Sequence, residues 1–344
     1  MKALVHTKPE TLEYKEVPMP KCLKPTDVII KTRAVGICGG DVHGFTGTTG
    51  RRIPPVIMGH EIGGEVYEVG KGSKFRVGDR VTVDSTVFCG DCASCKIGRV
   101  NMCEDRKVLG VSCDAYRQDG AMAEFFVVPE RIMYKLPENV NFVAGALIEP
   151  ASVSFHALSL SRVTAESTVL VVGAGVIGLF VIQGLRIRGC KNIVVVDMNP
   201  GRLAIAKDYG AKTIINVQVQ EGGPQKVIED LYGTVDVSFE AIGLPQTVDL
   251  AIRAIKKKGQ AVLIGNLSPR VSVHLQDIVT GEKTISGVCA SAGEYEEVTS
   301  HLSEGRLDVE KLITKVAPLE EGEKWFKELL GGKGSHIKIV LTNE

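Results

Sequence analysis

Six residues, Gly173-Ala174-Gly175-Val176-Ile177-Gly178, do most to limit what this chain can fold into. They follow an apolar run, Thr168-Val169-Leu170-Val171-Val172, and open a stretch with helical spacing, Val176 to Ile187. In a strand that turns through G-x-G-x-x-G into a helix, the first glycine makes the turn. The second lets backbone approach a pyrophosphate, and the third lets helix pack on sheet. The helix N-terminus then faces the phosphates. The pattern continues with strands expected at 192–197, 213–217, 235–240, 260–264 and 284–288, and helices at 200–209, 225–231 and 245–255. Pro200 suits an early helical position. Such alternation implies right-handed βαβ crossovers and a doubly wound parallel sheet, so the fold class is α/β with a Rossmann arrangement.

The second strand of the series ends at Asp197, 24 residues after Gly173. A carboxylate there accepts from the adenosine ribose hydroxyls and repels a 2′-phosphate, which points to NAD. Arg202 is the nearby residue able to accept that phosphate instead. The candidate cofactor residues are Gly173, Gly175, Ile177, Gly178, Asp197 and Arg202, with Gly265 and Val288 at the ends of later strands.

The first ~150 residues, one domain's worth by length, read differently. Short apolar runs at 28–32, 63–70, 79–83 and 124–129 are separated by Gly and Pro turns, which predicts a β-rich lobe, a compact barrel. After the alternating series, helices near 294–302 and 320–330 and a strand at 337–341 are expected to return to that lobe.

Two clusters in the β-rich part carry chemistry. Cys89, Cys92, Cys95 and Cys103 are spaced C-x2-C-x2-C-x7-C, close enough to close a tetrahedral zinc cage from one loop. An iron–sulfur site shares the first three cysteines, but its fourth follows after three residues and precedes a proline. A nucleic-acid module would want basic neighbours, whereas Asp91, Glu104 and Asp105 are acidic. The second cluster runs from Gly36 to Glu61 and holds Cys38, Asp41, His43, His60 and Glu61 among glycines. Cys22, Cys113, Cys190 and Cys289 read as small packed residues. Arg51 and Arg52, between the two ligand segments, could meet an anionic substrate, but they read first as a solvated face.

Charge and hydropathy close off other classes. Lysine plus arginine equals aspartate plus glutamate at 41 each, so no nucleic acid and no anionic membrane is expected as a partner. Ser167 to Leu185 is uncharged over 19 residues, but four glycines interrupt it, and a buried strand running into a buried helix reads the same way. The start has no signal-peptide apolar region, and nine cysteines with four in one loop suit metal binding in a reducing compartment, so a cytoplasmic location is expected.

Gly59-His60-Glu61 with Gly64, Gly70 and Ser73, Cys38 in Gly-Ile-Cys-Gly, the four-cysteine loop, Glu149-Pro150 and G-x-G-x-x-G occur in that relative arrangement. Together they resemble the zinc-dependent medium-chain alcohol dehydrogenases over essentially the whole chain, in the polyol or sorbitol-type branch. L-threonine 3-dehydrogenases and butanediol dehydrogenases are neighbours. The resemblance implies a GroES-like catalytic domain at 1–151 with a structural zinc loop at 89–103, an NAD-binding domain at 152–290 and a C-terminal return at 291–344. It implies two zinc ions per chain, one structural and one catalytic. The catalytic zinc would be held by Cys38, His60 and Glu61, with Glu149 as an added ligand or holding its water. Asp41 would orient the zinc histidine, fixing its tautomer and ring angle, and His43 would pass the proton outward. A homo-oligomer, tetramer or dimer, is also implied. The family usually has Ser or Thr two residues after the zinc cysteine, and this chain has Gly40.

Hydride leaves a carbinol carbon readily only once its oxygen has lost its proton, and zinc with an open position promotes that loss. The expected activity is therefore oxidation of a secondary hydroxyl of a polyol, sugar alcohol or sugar acid to a ketone by NAD. L-threonine or 2,3-butanediol is the alternative substrate. A reading of another class, a non-catalytic NAD- or zinc-binding protein, rests on Gly40 alone.

Overall fold

The computed structural model describes residues 1–113, 116–219, 222–332 and 336–343. The chain forms two compact units. One comprises Met1–Ser152 with Ala290–Glu344, and the other Val153–Cys289.

In the second unit six strands form one parallel sheet. Its spatial order is Thr213–Asn216, Asn192–Asp197, Thr168–Val172, Val235–Glu240, Ile255–Leu263 and Thr284–Gly287. The chain starts in the middle, winds to one side, then returns past its first strand to the other. That reversal puts a crevice at the carboxyl ends of Thr168–Val172 and Val235–Glu240, where such sheets bind ligands. The stretch resembling a membrane span is the strand Thr168–Val172 and the helix Val176–Ile187. No helix among the described residues is long and apolar enough to cross a membrane. The strand expected at 260–264 begins earlier, at Ile255, because Ile255 pairs with Val235 as soon as the preceding helix ends.

The first unit is built on antiparallel pairing. Its largest sheet centres on Asp27–Gly36, flanked by Glu61–Val69 and Lys338–Thr342. Gly36 pairs with Glu61 on one side and with Val340 on the other. Those two registers bring the residue after the central strand, the start of its neighbour and a strand some 300 positions later to one point. A core including Ile30, Val35, Phe45, Met58, Ile62, Phe126, Phe326 and Leu341 lies beneath. Burial at roughly 25 cal/mol per Å² of apolar surface supplies the drive to hold that geometry.

Candidate active site and cofactor loop

The strand Asp27–Gly36 ends, and two residues later Cys38 caps the short helix Gly39–Phe45, accepting from Gly40 N at 3.4 Å through its sulfur. Glu61 opens the neighbouring strand and His60 immediately precedes it, both buried. One ligand atom from each of Cys38, His60 and Glu61 lies within 4.8 Å of the others. Gly36 makes this possible: a Cβ there would lie 2.0 Å from Glu61 Oε2.

Asp41 sits fully buried behind His60. Its Oδ2 is 3.5 Å from His60 Nδ1, and neither atom has a hydrogen-bond partner. A metal on Nε2 would fix the tautomer with hydrogen on Nδ1, aimed at that oxygen, so the orphaned pair fits a metal-bound imidazole. The electrostatics fit as well. Burial alone would lower the His60 pKa, but Asp41, Cys38 and Glu149 outweigh it and raise it to about 10. So many negative groups around one imidazole call for a cation.

Two groups the sequence did not reveal complete the site. Lys338, 4% exposed, sets its ammonium 2.7 Å from both oxygens of Glu61, which is 1% exposed, and donates to Ile37 O at 2.9 Å. Arg52, expected on a solvated face, is instead buried and forks onto Asp41 Oδ1 from Nε at 3.0 Å and Nη2 at 2.7 Å, while Arg51 is exposed. A sequence shows that arginine follows arginine but not which one turns inward. His43 lies on the exposed side of its helix.

Glu149 begins the helix Ile148–Ser159, and its Oε1 accepts from Ser85 Oγ at 2.7 Å. Burial pushes its pKa up, and Glu61 adds to that, against His60 and Ser85. Next to Ser85, Asp84 is fully buried with Oδ2 unpartnered, and burial raises its pKa from 3.8 to about 8 against the Thr86 N–H. A raised carboxyl pKa means the folded chain holds this proton more tightly than the unfolded one. Its contribution to stability is full below pH 3.8 and lost as pH rises to about 8. Asp84→Asn is therefore expected to flatten the fall in melting temperature across that window. Parallel melting curves for the two proteins would contradict the assignment.

The four-cysteine loop is equally closed. Cys89, Cys92, Cys95 and Cys103 place their sulfurs within 4.8 Å of one another. Backbone N–H groups of Asp91 and Cys92 point at Cys89 Sγ at 3.4 and 3.3 Å, and that of Cys89 points at Cys103 Sγ at 3.2 Å. Backbone donation from Glu104 is the main cause lowering the Cys92 pKa to about 6. Thiolates supported by backbone dipoles fit a tetrahedral zinc.

In the second unit the three glycines behave differently. Gly173 has φ +100°, and a Cβ on it would meet Ile242 at 2.7 Å. Gly175 has open space where its Cβ would be. At Gly178 a Cβ would lie 1.8 Å from Gly173 O. Turn, close approach and packing are thus separate demands on separate residues. Asp197 Oδ2 accepts from Ala174 N at 2.6 Å and Oδ1 from Asn199 N at 2.8 Å, so it also braces the loop. Arg202 donates its backbone N–H to Asn199 Oδ1 at 3.1 Å. The carbonyl of Ile177 accepts from Ser154 at 3.1 Å. Gly265 lies where a Cβ would meet Gly243 N at 2.3 Å, and Val288 N donates to Leu263 O at 3.0 Å. The sequence did not point to Glu240, fully buried, which accepts from Ile242 N at 3.0 Å and Gly243 N at 2.8 Å and holds that facing loop.

Residues 24–138 match the alcohol dehydrogenase GroES-like domain, and residues 176–304 the zinc-binding dehydrogenase domain. The L-idonate 5-dehydrogenase of Vitis vinifera is 35% identical over 97% of this chain and 92% of its own length. The chain belongs to the zinc-dependent medium-chain alcohol dehydrogenase family. Its place is in the polyol branch of that family. The sorbitol dehydrogenase of Bacillus subtilis (strain 168) is 32% identical over 99% of this chain and 97% of its own. The crystal structure of 2R,3R-butanediol dehydrogenase from Bacillus subtilis superposes with a TM-score of 0.88 at 30% identity, covering 100% of this chain and 99% of that one. The chain is thus an NAD-dependent oxidoreductase.

Proposed function

We propose that this medium-chain dehydrogenase oxidises a secondary hydroxyl of a polyol, sugar alcohol or sugar acid to the ketone with NAD. The observation that carries this reading is the Cys38–His60–Glu61 set, half-buried at Cys38 and buried at the other two, with Asp41 Oδ2 facing His60 Nδ1. Membership of the polyol branch supports the substrate class. Cys38 and His60 are the donors to the catalytic zinc, and Glu61 and Glu149 the carboxylates beside it. Cys89, Cys92, Cys95 and Cys103 hold the structural zinc. When bound, the catalytic zinc supplies Lewis acidity, easing loss of the hydroxyl proton much as it lowers the pKa of water from ~15.7 to about 7.

The chain's own residues do the rest. Asp41 holds the His60 ring. Lys338 balances Glu61, so the site carries less negative charge than its carboxylates alone would give it. Ser85 orients Glu149 by donating to its Oε1, and burial raises the Glu149 pKa above the usual carboxylate value. Gly40 offers no hydroxyl, so the proton crosses by water toward His43, whose exposure supports its place at the exit.

Residues 1–152 with 290–344 form the catalytic domain and 153–289 the cofactor domain in this reading. Asp197 selects NAD over NADP. Asp197→Ala is expected to lower the ratio of kcat/KM for NAD over NADP at least ~10-fold, the worth of about one charge-assisted hydrogen bond. An unchanged ratio would contradict the ribose contact. The protein works in the cytoplasm as a homo-oligomer, dimer or tetramer. Support for assembly comes from the edge strand Thr284–Gly287 with exposed Ile285, and light scattering measures it.

The test of function is a panel of sugar alcohols, sugar acids, inositols, L-threonine and diols read by NADH absorbance, with zinc measured on the same sample. Two zincs per chain and reduction of NAD by at least one polyol or sugar acid are expected. Protein with two zincs that reduces NAD with none of the panel would sink the reading.

A further inference from the structure

Arg52 has no part in the reaction as derived above, yet the fold makes room for it at several places. Its side chain is 7% exposed and its partner Asp41 is fully buried. Both Nε and Nη2 donate to the same oxygen, Asp41 Oδ1, at 3.0 and 2.7 Å. The other oxygen is thereby left for His60 Nδ1, 3.5 Å away.

The helix Gly39–Phe45 carries glycine at 40 and 44, one turn apart on the same face. A Cβ at Gly44 would lie 2.5 Å from Arg52 Cγ, and one at Gly40 would lie 3.9 Å from Arg52 Nη2. The arginine lies along that bare face. Its backbone is pinned on both sides by Ser112, which donates its N–H to Arg51 O at 3.0 Å and its hydroxyl to Ile53 O at 2.8 Å.

We propose that Arg52 is a positioning residue for the metal site, acting through Asp41 to hold the His60 ring with Nε2 free for zinc. This rests on the reading of Cys38 and His60 as zinc donors. A buried carboxylate with one partner can rotate about its χ2. Two N–H groups converging on Oδ1 anchor that oxygen, which restrains the χ2 rotation and leaves Oδ2 on the side of the imidazole. A lysine would offer a point charge without the fork. Gly44, not Gly40, is the position where a side chain would collide with the arginine.

The experiment compares Arg52→Met, Arg52→Lys and Gly44→Ala with the wild type, alone and in an Asp41→Asn background. Zinc affinity is measured by chelator competition, and the cobalt(II)-substituted protein is followed by its visible absorption. Arg52→Met is expected to weaken one of two zincs about 10-fold, the low end for partners of metal ligands, and to shift the cobalt bands. The four-cysteine zinc should be unaffected. Arg52→Lys should recover part of the loss. Gly44→Ala, which only displaces the arginine stem, should reproduce part of it and serves if Arg52→Met does not fold. In the Asp41→Asn background the Arg52→Met effect should disappear. Two zincs of unchanged affinity and unchanged cobalt bands in Arg52→Met overturn this proposal alone, as does an equal loss in the Asp41→Asn background. A wild type that binds one zinc overturns the metal-site reading and this proposal with it.

Discussion

Cys38→Ser is expected to leave one zinc per chain instead of two and to slow turnover on the order of 10³-fold. The estimate follows from about 4 kcal/mol of transition-state stabilisation supplied by a Lewis-acidic metal, at 1.36 kcal/mol per tenfold in rate. Serine is a harder, far less acidic donor than a cysteine thiolate, while its hydroxyl can still accept from the Gly40 N–H that Cys38 Sγ meets at 3.4 Å, so the loss falls on the metal and not on the helix cap. NAD binding should survive, because the glycine loop and Asp197 belong to the other unit. Zinc by mass spectrometry, NAD by fluorescence titration and steady-state rates decide it together. A variant with two zincs and wild-type kcat would remove Cys38 from the metal site. Loss of NAD affinity along with the zinc would mean that the substitution damages more than the metal.

The second large effect concerns stability. Lys338→Met leaves Glu61, 1% exposed, as a buried carboxylate without its cation. Breaking one side of such a pair costs about 3–5 kcal/mol, whereas replacing both partners by neutral groups is often close to neutral. The single variant should therefore unfold at markedly lower denaturant, and Glu61→Gln with Lys338→Met should recover most of the loss. Trp325, the chain's single tryptophan, is buried in the same unit, so its fluorescence reports this transition. If Lys338→Met unfolds like the wild type, the buried pair carries no net stability. If the double variant is no better than the single, the harm comes from lost packing of the lysine stem.

The fold was legible wherever a local period repeats. Strand and helix spacing marked Thr168–Val172, Val176–Ile187, Asn192–Asp197 and Val235–Glu240 to the residue, since apolar residues recur at strand or helix period between glycine or polar turns. The β-rich unit was read as a compact barrel of short strands to which the strand at 337–341 returns, without the order of those strands. Antiparallel order depends on contacts between distant segments, and nothing local in Lys338-Ile339-Val340 states that it will lie beside Asp27–Gly36. Arg52 escaped for a related reason: neighbouring arginines look alike until one finds a buried carboxylate.

What the sequence determined alone were the donor types and their short-range spacing. Four cysteines within fifteen residues, a cysteine six residues before Gly44, His60 next to Glu61, and glycines at 173, 175 and 178 limit the chemistry because geometry over a few residues is set by covalent length and backbone freedom. The tertiary structure decided which charges meet. The pairings of Gly36 with Glu61 and with Val340 carry Lys338 to Glu61, and the turn after the helix Gly39–Phe45 carries Arg52 to Asp41. Whether a buried ion costs or stabilises depends on the partner it finds, and that partner is chosen by strand register and packing across hundreds of residues.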